Sequence, residues 1–367
     1  MTVTAEDVFG LAQHDKEARL LRELARLTAH HRRECAAYDR ILTATGHTGG
    51  RRYGAVAELP WLPVRMFKNH VLKSIPDDAV FRVLTSSGTT GAVSRIHLDR
   101  EAAATQARML ARTMRAVLGG HRLPMLMVDS RAMARSSSAR AAGVLGMANF
   151  GRDHTWILDE HDRLDLAALK GFLARHGAAP FLIFGFTFMV WRYLYEPARD
   201  AGLDLSRGLL VHSGGWKKLA AQAVDNAEFR ARFAEHTGLT RIHNFYGMVE
   251  QIGTVFPEGR SGGSLYCPEF ADVVVRDPTT WEETEPGVPG LLEVVSTLPR
   301  SYPGHVLLTE DLGVVHGVDD GDWPGKRFSV LGRLPRAEAR GCSDTFAAHP
   351  EGSKAPEGSE GSEGSAA

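Results

Sequence analysis

The spacing of apolar positions divides the 367-residue chain into three textures. From about residue 5 to 45, leucine and alanine recur at helical intervals among arginine and glutamate, which predicts two amphipathic helices. His30 and His31 fall in this charged stretch and are read as surface or packing residues. Trp61–Val64 reads as an extended lead into a short element at Arg65–Phe67. Farther on, short apolar runs alternate with helical-period segments. Ala79–Thr85, Ser94–Leu98, Leu123–Asp129, Phe181–Phe184 and Leu209–His212 read as strands. Asp99 is placed to cap a helix from Arg100 to about Leu118, and Leu166–His176 and Ala220–His236 also read as helices. This alternation, sustained to about residue 250, predicts an α/β fold with a largely parallel sheet.

After Gly253 the helical period fades. Val273–Val275, Leu291–Val295, His305–Leu308 and Gly313–Val315 predict a smaller sheet or distorted barrel. The expected organisation is therefore N-terminal helices and an α/β core over 1–255, a β-rich portion over 256–346, and a tail over 347–367. Residues 350–367 (PEGSKAPEGSEGSEGSAA) offer no apolar side chains for a core, so disorder is expected there.

Composition narrows the function classes. With 43 Lys and Arg against 44 Asp and Glu, the formal net charge is -1, which gives no global reason to expect nucleic acid as a partner. The most apolar run, Phe181–Val190, is too short to span a bilayer, and the N-terminus lacks the pattern of a secretory signal. The three cysteines, Cys35, Cys267 and Cys342, are too few and too widely spaced for a disulfide scaffold or a zinc knuckle. These features together predict a cytoplasmic protein with reduced thiols. Oligomeric state is not legible.

The strongest chemical signal is Thr85-Ser86-Ser87-Gly88-Thr89-Thr90-Gly91. Two glycines permit a tight turn and close backbone approach, while hydroxyls and amides supply neutral donors for phosphate oxygens. The string lacks the Gly-Lys-Ser/Thr ending of common NTPase loops and the GxGxxG dinucleotide pattern. On residue chemistry alone, a phosphate cradle and a polar inter-strand connection are both open.

The string resembles the phosphate-binding signature of the adenylate-forming superfamily, which includes acyl-CoA synthetases, adenylation domains and luciferases. Downstream, His243-Asn244-Phe245-Tyr246-Gly247-Met248-Val249-Glu250 is similar to that superfamily's aromatic-Gly-x-x-Glu element. The resemblance implies that Tyr246 flanks adenine, with Gly247 beside it, and that Glu250 helps hold Mg²⁺. A carboxylate near a triphosphate needs such an intervening cation. Leu308-Thr309-Glu310-Asp311-Leu312-Gly313 resembles the Thr-Gly-Asp segment, which implies that Asp311 binds the ribose hydroxyls. Glu310 stands where the pattern has glycine. Gly332-Arg333 resembles the start of a Gly-Arg-x-x-Asp hinge, with Arg336 in place of the aspartate. Arg333 is thereby implied near ribose or phosphate. A typical mobile C-terminal domain with its catalytic lysine finds no counterpart in the sequence.

Val211-His212-Ser213-Gly214-Gly215-Trp216-Lys217 and Arg340-Gly341-Cys342-Ser343-Asp344 resemble segments of the LuxE-like acyl-protein synthetases, relatives of phenylacetate-CoA ligases. This resemblance spans nearly all of residues 20–346. It implies ATP-dependent activation of a fatty or related carboxylic acid to acyl-AMP, followed by transfer to a protein thiol. Cys342 is the candidate acceptor ahead of its rival Cys267, with Cys35 set in an Arg/Glu-rich helix, since a thiolate is the best nucleophile among common side chains for the task. Lys217 and Arg333 are candidate cations for phosphoryl charge, with Arg95 as a further one. His212 lines the carboxylate pocket or orients the adenylate, and Gly214 and Gly215 approach the nucleotide. Phe184–Met189, with Phe245 and Met248, are candidates for the acyl pocket, and Arg131 and Arg135 for a polar substrate or carrier. Implied partners are an acyl-accepting reductase or a carrier protein. A CoA ligase, a carrier-protein loading enzyme, and a nucleotide-binding subunit without catalysis are the competing readings.

Overall fold

The computed structural model describes residues 8–86, 93–133, 139–216 and 222–334. Fourteen strands are described: β1 (Leu62–Pro63), β2 (Arg82–Thr85), β3 (Arg95–Leu98), β4 (Leu123–Ser130), β5 (Gly151–Leu158), β6 (Phe181–Phe186), β7 (Gly208–Ser213), β8 (Ile242–Gly247), β9 (Val255–Pro257), β10 (Leu265–Tyr266), β11 (Ala271–Arg276), β12 (Gly290–Ser296), β13 (Val306–Val318) and β14 (Lys326–Arg333). They form two six-stranded sheets and a small hairpin. The first sheet runs β5-β4-β6-β7-β8-β9, parallel except for β9, which pairs antiparallel with β8. Its inner strands β4, β6 and β7 are nearly continuous apolar runs because helices cover both faces. The second sheet, β10-β14-β13-β12-β11, is antiparallel, with β1 added in parallel to β13.

Local chemistry sets the helix starts. Asp99, Asp165 and Asp225 each accept a backbone N–H three residues on, from Ala102, Ala168 and Glu228, at 2.7–2.8 Å. The Asp225 cap makes the last helix begin at Asn226 rather than near residue 220, and the left-handed Gly238 follows its end at Thr237. No element is predicted over 139–158, where the structure has the helix Ala139–Ala148 and edge strand β5, nor at the strands β8, β9, β10 and β14. Apart from these differences, the predicted strands and helices fall close to the observed ones, and the predicted Gly313–Val315 run merges with His305–Leu308 into the long strand β13.

Two cores result. One lies around the parallel sheet and includes Met127, Phe184, Val211 and Phe233. The other joins the second sheet to the hairpin, the helix Ala36–Ala44 and the N-terminal half of the helix Arg100–Leu118. The first helix, Gln13–Glu34, packs on the second sheet through Leu20, Leu24 and Leu27 against Val274, Val295 and Val306. The N-terminal helices precede the parallel strands in sequence, yet in space they belong with the β-rich portion. Lys16 on that helix is buried with Asp272 at 3.3 Å, and Gln13 donates to the same carboxylate at 2.6 Å.

Candidate active site

A cleft of about 950 Å³ opens between the two cores, at the carboxyl ends of β6, β7 and β8. Open parallel sheets bind ligands at this end because the strand-to-helix loops converge there. Ser86, His212, Gly214, Gly215, Tyr246, Gly247, Glu250, Asp311 and Arg333 all line it, drawn from segments separated by more than two hundred residues. Thr85 ends β2, paired with Arg95, and Arg95 is exposed; neither lines the cleft. Ser87, Gly88, Thr89, Thr90, Gly91, Lys217, Arg135 and Cys342 lie outside the described residues, as does the tail.

On the side of the second sheet, strand pairing sets Asp311 opposite Arg333. The Arg333 Nε donates to Asp311 Oδ1 at 3.1 Å, and the Tyr246 hydroxyl donates to Oδ2 at 2.7 Å. Thr309 fixes the local backbone. Its hydroxyl donates to Leu292 O at 2.6 Å and accepts from the Asp311 N–H at 3.1 Å. Burial, reinforced by the neighbouring Asp311 carboxylate, holds the Tyr246 phenol well above its ordinary pKa, so it remains a donor. Glu310, the departure from the glycine of the resembled pattern, also lines the cleft and forms an ion pair with Arg65 at 2.8 Å.

Glu250 sits in a buried turn directly after β8 and is only 4% exposed. The next residue, Gln251, anchors this turn by donating to Val294 O at 3.0 Å and Gly304 O at 2.9 Å. Gly253 then passes so close to the helix Arg100–Leu118 that a Cβ would lie 2.6 Å from Gln106, and its φ of +85° also favours glycine. The buried Tyr302 phenol is raised by burial and by the charge of Glu250 beside it.

On the parallel-sheet side, His212 is buried at the end of β7 and stacks on Phe229 with centroids 4.7 Å apart. Its Nδ1 shares a hydrogen bond with the Thr187 hydroxyl at 2.9 Å, while its Nε2 has no protein partner. Burial, then the cations around Arg230 and His243, lower its pKa to about 3, so the ring is neutral near pH 7. Asn244 is next to His212 in strand register. Its Oδ1 is likewise buried without a protein partner, and its backbone is tied in both directions to Glu258, at 2.8 and 2.9 Å. Asn244 had no assigned role in the sequence analysis, although it lies inside the quoted string. Gln251 and Glu258 were missed as well, because their partners are distant in sequence, and Thr187, expected only as an acyl-pocket residue, is the partner of His212.

The remaining candidates separate clearly. Phe184, Phe186, Thr187, Phe245 and Met248 line the cleft, whereas Gly185, Phe188 and Met189 are packed away from it. Arg131 is exposed. Neither Cys35 nor Cys267 lines the cleft, and burial, followed by the adjacent Asp272, pushes the Cys267 thiol far up, which suppresses its thiolate. His31 is fully buried, bonded to Ser74 and Pro299 O, and therefore a packing residue. No cluster of three metal-ligating side chains occurs among the described residues. No helix among them is long and apolar enough to cross a membrane.

Comparison with known proteins gives a consistent result. The family described as acyl-protein synthetase, LuxE, matches residues 3–349. The long-chain-fatty-acid–luciferin-component ligase of Vibrio harveyi is 26% identical over 314 residues, covering 78% of this chain and 76% of that protein. Its counterpart from Aliivibrio fischeri is 22% identical over 315 residues, covering 80% and 79%. Among solved structures, 2-hydroxyisobutyryl-CoA ligase in its postadenylation state superposes with a TM-score of 0.72 at 16% identity, over 91% of this chain and 72% of that one. Its open conformation, in complex with 2-HIB-AMP and CoA, gives 0.69 over 92% and 80%. The fold shared with this ligase is the large adenylate-forming domain.

Proposed function

Because the chain belongs to the LuxE acyl-protein synthetase family, and so to the adenylate-forming, carboxylate-activating enzymes, we propose that its cleft joins a long-chain fatty or related acid to AMP and then releases the acyl group to a thiol. The observation that carries this reading is the convergence of Ser86, His212, Tyr246, Glu250, Asp311 and Arg333 on one cleft at the ends of β6–β8. The acid class follows the names of the curated relatives.

The residues fit a nucleotide. Asp311 is a carboxylate pre-set by Thr309, Tyr246 and Arg333, and exchange of one of those donors for ribose hydroxyls keeps its charge satisfied. The buried Asn244 Oδ1 offers an acceptor for an exocyclic amine. Ser86, a described residue of the Thr85–Gly91 string, lines the same cleft. Mg²⁺ is commonly held by one or two carboxylates and substrate phosphates rather than by a protein cage, and Glu250 is the carboxylate for that role. When bound, the metal neutralises phosphoryl charge.

In the first half-reaction a carboxylate oxygen bonds to the α-phosphorus of ATP, the bond to the β-phosphate bridge breaks, and pyrophosphate leaves. Arg333 and Lys217 are the candidate cations to stabilise the growing negative charge. His212 is neutral and buried, so it orients an oxygen of the acid by hydrogen bonding rather than by charge. In the second half-reaction a thiolate bonds to the acyl carbon and AMP departs.

Two thiol sources are supported by different observations. Fold similarity to 2-hydroxyisobutyryl-CoA ligase favours CoA or a carrier phosphopantetheine. The family description favours a protein thiol, and Leu331, Gly332 and Arg333 line the cleft at the end of the described chain. Cys342 follows Leu334 by eight residues, a reach of up to ~28 Å if extended. Carboxylate-dependent ATP–pyrophosphate exchange tests the first step. For the second, hydroxylamine-labile acyl label on the protein that disappears in Cys342→Ser identifies the protein thiol, and AMP release that requires CoA identifies the soluble one.

A further inference from the structure

The apolar end of the cleft has a wall built differently from the others. The helix Ala139–Ala148 contributes Ala142, Gly143 and Met147, of which Gly143 and Met147 are one helical turn apart and share a face. Leu110 and Phe184 also line the cleft, and Leu110 lies against the same helix, 3.5 Å from where a Cβ on Gly146 would stand. Ala142 packs with the second-sheet core and Met147 with the parallel-sheet core, so the helix spans the boundary between the two cores. At Gly143 a Cβ would meet nothing within 4 Å, although the residue is on the cleft wall and half-buried. By contrast, a Cβ on Gly185, in the strand beneath, would lie 2.8 Å from both Val128 and Val190, so that glycine is needed for packing. Gly143 therefore leaves room that no atom of the described residues fills. Its ordinary helix costs go uncompensated by any close contact, since glycine in a helix interior is less stable than alanine.

We propose that Gly143 is a specificity-determining position: the tail of the acid runs over it, between Met147 and Leu110, and the absent side chain sets how long a tail the cleft accepts. The inference rests on the proposed carboxylate activation and adds the wall that selects among acids. His212, buried at the end of β7 with an unpartnered Nε2, holds the polar end, and the apolar tail is left to the face made by Ala142, Gly143 and Met147.

The test compares wild type, Gly143→Ala, Gly143→Phe and Met147→Ala over straight-chain acids from butyrate to palmitate. Two readouts are used: carboxylate-dependent pyrophosphate exchange, and displacement of a fluorescent fatty acid in the absence of ATP. Gly143→Phe is expected to lower kcat/KM for the longest acids by about 10–200-fold while short acids change by less than about threefold, the range that hydrophobic pocket contacts provide. Gly143→Ala is expected to leave the profile nearly unchanged, and Met147→Ala to shift the preference toward longer or bulkier acids. Unchanged thermal melting and ATP protection show that Gly143→Phe remains folded, and if it does not fold, the Met147→Ala shift carries the test. A wild-type enzyme that is active, with a chain-length profile identical in all three variants, overturns the tail placement and leaves the activation reading standing. A wild type that supports exchange with no acid and binds none overturns both.

Discussion

Two regions of the molecule treat buried polarity differently: the seam of the first helix on the second sheet, and the ends of β7 and β8. In the second sheet, buried charges meet opposite charges from the protein itself. Lys16 pairs with Asp272, and Arg276 pairs with Glu293 while its Nη2 donates to Ala57 O at 2.7 Å. Lys326 donates to Val273 O and Glu283 at 2.9 and 2.8 Å. At the ends of β7 and β8, His212 and Asn244 line the cleft, and each has one buried polar atom that no protein group meets. A buried polar atom without a partner is costly, so a fold retains one where something else supplies the missing hydrogen bond. The first arrangement ties the N-terminal helix to the sheet, and the second is suited to a ligand.

The contrast is broken most strongly at the carboxylates of the cleft. Glu250→Gln is expected to lower pyrophosphate exchange by about 100- to 1000-fold, the scale of losing one preorganised electrostatic group, with little change in melting temperature. Asp311→Ala is expected to raise the KM for ATP most of all, seen in initial rates at varied ATP. On the structural side the reverse holds. Lys16→Met leaves Asp272 buried with only Lys326 as a nearby cation, which is expected to cost about 3 kcal/mol in urea unfolding without a comparable fall in exchange per folded molecule.

The buried histidines sharpen the comparison through pH. His212 and His305 have pKa values lowered to about 3 by burial, and His31 is also lowered well below 6.5. The unfolded chain binds these protons more readily, so stability is lost as pH falls below about 6.5 and continues to fall toward the folded values. At pH 5 the His212 and His305 rings are each expected to cost roughly 2 kcal/mol, with His31 acting in the same direction, checked by urea midpoints at pH 7 and pH 5. Asp272 acts in a lower window: the cations Lys16 and Lys326 outweigh its burial and depress its pKa, so its stabilisation holds above about pH 4 and is lost below it. His212→Gln is expected to slow exchange by about tenfold through the acid rather than ATP. Because the ring is neutral, the wild-type rate should show no step from His212 between pH 5 and pH 8. The smallest effect is expected from Arg65→Ala, which removes a half-exposed pair with Glu310 and should change stability by less than about 1 kcal/mol.

The sequence carried the parallel strands β4, β6 and β7 plainly, because their long apolar runs and the capping aspartates act locally, whereas the half-buried β8 was read only as a motif. It also carried the order of Ser86, Tyr246, Glu250 and Asp311, since each lies in a short string with its own chemistry. Residues 139–158 were not legible. The helix there is rich in alanine and glycine, and β5 is a half-exposed edge strand with Arg152 and Asp153 on it. Asn244, Gln251 and Glu258 were not legible as site residues for another reason: their value comes from contacts with strands and turns that only folding brings near. The N-terminal helices likewise reveal their place through Lys16 and Gln13, whose partner Asp272 is more than two hundred residues away.

The most direct test of the account is ATP–pyrophosphate exchange by the purified full chain with Mg²⁺, across fatty, aromatic and amino acids, with Glu250→Gln in parallel. The account predicts exchange that depends on a fatty or related acid and is nearly abolished in the variant. Folded wild-type protein that binds ATP yet exchanges with no acid would contradict it.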